Sequence, residues 1–190
     1  MNKAVKPRAP LKETKVMPTK SDVDLFCRHL EPGGLYIGGQ EPVMVSAVLG
    51  SGLAVCFYDR RLKTGSMGHF LFPGVISPNL PEKLCAPAVI GNLTKAMKKN
   101  GSRPDDLEAM LVGGGERPGP GLDKNRIGPR NVEAARKLLK KHEVAIVSED
   151  VGGMKGRRLI FYPGTNETMV MKTHRIRRGD YYPYRRRNDS

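Results

Sequence analysis

Cysteine is scarce in this chain: Cys27, Cys56 and Cys85 are the only three in 190 residues, and they show neither C-x-x-C nor a histidine-paired zinc spacing. An odd, scattered set supplies neither a disulfide framework nor a structural metal site. The expectation is a reduced, cytoplasmic protein without metal or cofactor. Long apolar runs are missing too: nowhere do 18 uncharged apolar residues run together, and the first 20 residues are rich in Lys and Pro with no apolar h-region. Neither a membrane span nor a secretory signal is expected. What remains, at 38% apolar and 27% charged residues, suits one cored domain.

Acidic residues are short at the two ends, and this explains the net charge of +14. Residues 1–20 carry six Lys/Arg against Glu13, and residues 172–190 carry seven against Asp180 and Asp189, so each end contributes +5. The stretch between them holds 20 basic and 16 acidic residues and is close to balanced. Residues 1–20 lack an apolar period that could offset the entropy of ordering them, and they read as a disordered basic tail. The folded domain is assigned to 21–172, with 173–190 as a second basic tail rich in Arg and Tyr.

Between the tails, Val43–Leu49 and Leu53–Tyr58 are apolar, β-branched runs broken by Gly50-Ser51-Gly52, which reads as strand, turn, strand. Further strands are expected at Met67–Phe72, Ala109–Val112, Val144–Ser148, Arg158–Tyr162 and Thr168–Met171. The spacing predicts a helix over 87–99, with Pro87 in its first turn, Ile90, Leu93 and Met97 on one face, and Lys95, Lys98 and Lys99 near its end. A second is expected over 130–142, with Val132, Ala135, Leu138 and Leu139 on one stripe. Helices interleaved with hairpin-like strand pairs argue a mixed α/β layer fold.

The glycine-rich stretch Gly113–Gly121 lacks the G-x-x-x-x-G-K-[ST] order of a phosphate loop and reads as a surface loop leaving a strand. The C-terminal segment Arg175–Arg187 interleaves arginine with tyrosine, which suits phosphate contacts and base stacking. The nearly neutral domain shows no RRM, KH or helix-turn-helix pattern, which argues against nucleic acid as the partner.

Seven blocks in order, LEPGGLYIGG (30–39), VMVSAVLGSG (43–52), LAVCFYD (53–59), GSMGHFLFPG (65–74), LEAMLVGGG (107–115), IGPRNVEAARKLL (127–139) and EDVGGMKGRRLIFYPGT (149–165), resemble the CheD family, the chemoreceptor glutamine deamidases of bacterial and archaeal chemotaxis. The resemblance covers about 30–172 and omits both basic ends. It implies a layered, mixed β-sandwich with flanking helices and a site beside the Gly50-Ser51-Gly52 turn. It also implies cysteine-protease-like chemistry on a receptor glutamine: a thiolate attacks the amide carbon, a histidine moves the proton to departing ammonia, and water releases glutamate. Matched motif to motif, the family's histidine falls on His69 and its threonine, which helps orient that histidine, on Ser46. The nucleophile position, 17 residues before His69, is Gly52. Where the family reads L-G-S-C, this chain reads Leu49-Gly50-Ser51-Gly52.

Neither neighbour is expected to substitute. Cys56 lies four residues on, about 13 Å along a strand, and should be core. Ser51 points to the opposite face of an extended segment. Cys27 and Cys85 lie outside the motif. The resemblance therefore implies a protein that acts on or binds methyl-accepting chemoreceptors or a CheC-type phosphatase, with deamidation lost. An active deamidase and a tail-driven binder of nucleic acid or an anionic surface are the alternative expectations.

Overall fold

The computed structural model describes residues 27–38, 42–116 and 126–174. The basic ends 1–20 and 175–190, with the Arg/Tyr segment, lie outside the described residues, as do Gly39 and the 117–121 part of the glycine-rich stretch.

The strands are β1 (Cys27–His29), β2 (Leu35–Ile37), β3 (Met44–Leu49), β4 (Leu53–Asp59), β5 (Thr64–Phe70), β6 (Leu107–Gly113), β7 (Ala145–Val151), β8 (Gly156–Tyr162) and β9 (Glu167–Thr173). The helices are α1 (Ala86–Lys99) and α2 (Ile127–Lys141). Four strands form one sheet in the order β1-β3-β8-β9, and five form the other in the order β2-β5-β4-β6-β7. Parallel pairing occurs at β1–β3 and β6–β7, antiparallel pairing elsewhere.

Strand alternation explains the layers. In β4, Leu53, Val55 and Phe57 face the helices, where they pack with Val89, Ile90, Leu93 and Met97 of α1 and Val132, Ala135 and Leu139 of α2. The intervening Ala54 and Cys56 face the four-stranded sheet and meet Val45, Ala47, Leu49, Leu159 and Phe161. A strand covered on both faces reads as a continuous apolar run, which is how LAVCFYD looks. The protein is thus a mixed α/β, three-layer sandwich with both helices on one side of the five-stranded sheet.

Asp59 fixes the β4–β5 hairpin. Its Oδ1 accepts from the backbone N–H groups of Arg61 (2.9 Å) and Leu62 (2.7 Å), turning the chain. The resulting register sets His69 opposite Ala54. At the far corner, Arg157, almost wholly buried, donates from Nε (3.1 Å) and Nη2 (2.9 Å) to Asp150 Oδ1, and so joins β8 of one sheet to β7 of the other.

Candidate functional site

The turn Gly50-Ser51-Gly52 carries the chain from the four-stranded sheet (β3) to the five-stranded sheet (β4). Its three carbonyls are all anchored. Gly115 N–H donates to Gly50 O and Gly114 N–H to Gly52 O, each at 2.8 Å. The side-chain amide of Asn131 on α2 donates to Ser51 O at 2.8 Å and, with its second hydrogen, to Leu71 O at 2.8 Å. The peptides are trans, and a trans peptide points its N–H opposite its C=O. Anchoring the Gly50 and Ser51 carbonyls therefore turns the N–H groups of Ser51 and Gly52 away from the framework.

His69 stands on β5 with the parity of Met67, which faces the space between the sheets. It is buried, and burial pulls its pKa down to about 4, helped by the nearby His29 and opposed by the Leu30 carbonyl. The imidazole is neutral at pH 7. Its Nδ1 lies 3.4 Å from Leu30 O, an acceptor, so Nδ1 bears the hydrogen and Nε2 offers its lone pair. A β-carbon built on Gly52 falls 3.0 Å from that Nε2. The unprotonated nitrogen and residue 52 therefore face each other, in the tautomer a general base needs.

The same construction shows how closely the surroundings have filled in. The β-carbon would also lie 2.9 Å from Phe70 O and 3.0 Å from Leu71 Cδ2. A side chain at position 52 requires the Phe70 backbone carbonyl, as well as the Leu71 side chain, to shift.

Ser46 is placed differently from its expected role. It is buried, but its Oγ hydrogen-bonds with His29 Nδ1 at 3.3 Å. It alternates with Val45 and Ala47, which line the inter-sheet core, and so occupies the other face of β3. The hydrogen bond that orients His69 comes from the Leu30 carbonyl instead. The structure brings Gly52 and His69 together and gives Ser46 to His29.

Cys56 is enclosed in the inter-sheet core, and burial holds its thiol far above the usual cysteine range. Cys85, at the start of α1, is also raised, by burial and by Glu82. Among the described residues, no group of three or more His, Cys, Asp or Glu is placed to hold a metal ion. No helix among them is long and apolar enough to cross a membrane.

Two neighbours of the site, Asn131 and His29, were not singled out by sequence reasoning. Asn131 sits among the apolar positions of α2, where a fully buried amide is out of pattern. That anomaly was the available signal. His29 lies in a three-residue strand too short to show a period.

A family model described as CheD chemotactic sensory transduction matches residues 84–172, a span that includes Asn131 and follows Ser46, Gly52 and His69. Among named proteins, the "Probable chemoreceptor glutamine deamidase CheD 1" of Shewanella oneidensis is 34% identical over 161 residues, covering 80% of this chain and 78% of its own length. The protein of the same name from Anaeromyxobacter dehalogenans is 34% identical over 134 residues, covering 70% of this chain and 77% of its own length. The "Probable chemoreceptor glutamine deamidase CheD 2" of Geobacter sulfurreducens is 29% identical over 147 residues, with 77% and 90% covered.

Proposed function

This chain belongs to the CheD family, and from that premise we propose that it is a chemotaxis protein which recognises chemoreceptors, or a CheC-type phosphatase, without deamidating them. One observation carries this reading. The position facing the basic nitrogen of His69 holds Gly52, which has no side chain to act as nucleophile. Covalent deamidation begins with a thiol proton passing to that nitrogen and the thiolate adding to the carboxamide carbon. The imidazolium then protonates departing ammonia, and water cleaves the thioester. Without the thiol, the sequence has no first step. His69 keeps its orientation and its lone pair, but it has only water to activate.

Substitution by a neighbour finds no support. Cys56 is held protonated and enclosed, and the Ser51 carbonyl is tied to α2. The test measures ammonia release and Gln-to-Glu conversion, by mass spectrometry, on the cytoplasmic fragment of a chemoreceptor, comparing the chain with its Gly52→Cys variant. The reading expects no turnover by the chain and measurable turnover by the variant. Turnover by the unsubstituted chain that His69→Ala abolishes would overturn it in favour of an active deamidase.

A further inference from the structure

The site as built so far does not explain why one fully buried amide stands in the apolar stripe of α2. Asn131 has no solvent exposure. Both amide hydrogens are committed, to Ser51 O and Leu71 O, at 2.8 Å each. Its Oδ1 is buried with no donor among the described residues. An amide in the apolar stripe of a helix, with its oxygen unsatisfied, is a destabilising choice on packing grounds. It calls for a compensating reason.

The two carbonyls it bridges supply one. Ser51 precedes Gly52 in the turn, and Leu71 lies two residues beyond His69. The Asn131 amide therefore staples the two backbone segments that carry the facing pair, and it does so from the rigid framework of α2. Gly128, one turn earlier, lets that helix approach. Any β-carbon there would collide with the carbonyls of Gly114 and Gly115, the residues whose N–H groups anchor Gly52 and Gly50.

We propose that Asn131 is a positioning residue of this site: its amide, bonded to the Ser51 and Leu71 carbonyls, fixes the 50–52 turn against the end of β5 so that residue 52 faces His69 Nε2. The proposal rests on the reading of residue 52 and His69 as a nucleophile position and its base. The test has two arms that separate the two readings.

The first arm uses the unsubstituted chain. Amide hydrogen exchange is followed at Gly114 and Gly115, whose N–H groups hold the turn from the other side. Asn131→Ser, with a single hydroxyl donor, should accelerate exchange at these two amides at least tenfold while leaving those of α1 unchanged. Equal rates with and without the substitution overturn the proposal. If Asn131→Ala does not fold, the serine variant carries this arm alone.

The second arm uses Gly52→Cys and the pH profile of iodoacetamide alkylation at the introduced thiol, resolved by peptide mapping. A free cysteine titrates near pKa 8.5, and pairing with His69 should bring the apparent value below that. Adding Asn131→Ala should return the profile towards the free value and slow labelling in mildly acidic buffer about tenfold, with Asn131→Ser restoring part of the rate. A profile unmoved by both substitutions overturns the positioning role even if stability falls. If Gly52→Cys alone titrates as a free thiol, the nucleophile-and-base reading of the site falls, while the exchange arm still decides whether Asn131 anchors the turn.

Discussion

His69 is held neutral by burial, and this has a consequence for stability as well as for proton transfer. In the unfolded chain an imidazole titrates near 6.5, whereas the folded site holds it to about 4. As pH falls through that window the unfolded state takes up a proton that the folded state refuses, so stability is lost. The displacement corresponds to about 3 kcal/mol between pH 7 and pH 4. Asp59 and Asp150 lie below the ordinary carboxylate range despite burial that pushes each upward: hydrogen bonds from the Leu62 and Arg61 backbone hold Asp59 down, and bonds from Lys172 and Arg157 hold Asp150. Their loss falls at lower pH. Denaturant unfolding at pH 7 and pH 4.5 should show His69→Gln losing distinctly less stability on acidification than the parent chain. An equal loss in both would contradict a buried neutral imidazole. At position 52, a new side chain meets the Phe70 carbonyl and Leu71. Gly52→Cys should therefore cost about 1–2 kcal/mol of stability through overpacking, measured as a lowered midpoint of thermal unfolding, even as it introduces a thiol.

Elements were legible in the sequence where the period was strong and the run long. Leu53–Tyr58 became Leu53–Asp59, and 87–99 became Ala86–Lys99, because both are buried elements whose apolar residues announce them. The strand expected over Met67–Phe72 instead spans Thr64–Phe70. Its first half carries Gly65 and Ser66, which hide a strand. Its expected end, Leu71 and Phe72, turns away to donate backbone N–H groups to Leu84 O. The second helix begins at Ile127, three residues before the expected start, because Pro129 falls within its first turn, where a missing N–H costs nothing. Two three-residue strands, Cys27–His29 and Leu35–Ile37, carry no period to read and exist through pairing with β3 and β5. The site divides similarly. His69 and Gly52 came from the resemblance to the family's motifs, whereas the Asn131 staple joins positions 80 and 60 residues apart, to Ser51 and Leu71, and no local pattern encodes it. Two predictions belong to this scale. Gly128→Ala should push α2 off the Gly114–Gly115 carbonyls and lower stability by about 2 kcal/mol, seen as a lower denaturation midpoint. Arg157→Met should cost about as much by removing the buried guanidinium that bonds Asp150 and the Lys155 and Gly152 carbonyls, leaving Asp150 to Lys172 alone, with urea unfolding as the check.

Across the whole molecule, charge is unevenly spread along the chain. Residues 1–20 and 172–190 hold +10 of the +14, and the stretch between them is nearly balanced, with ion pairs such as Arg136–Glu149 and Arg61–Asp106. If recognition of a receptor or phosphatase uses the folded layers, affinity should fall less than about tenfold between 50 and 200 mM salt, against about 10³-fold or more for phosphate contacts on a nucleic acid. Titration of a receptor fragment at both salt concentrations discriminates the two, and a steep loss would favour the charged ends as the binding element. The crossing between sheets sets a different limit, one of reach. Only Gly50, Ser51 and Gly52 separate Leu49 in one sheet from Leu53 in the other. Four Cα-to-Cα steps extend to at most about 14 Å, and stacked sheets lie about 10 Å apart. Removing one step leaves a link that is taut when straight, with no slack for a bend and none for the carbonyls to meet Gly114, Gly115 and Asn131. Substitution and deletion are therefore unequal events here: the chain can lose the side chain at position 52, but it cannot lose the residue.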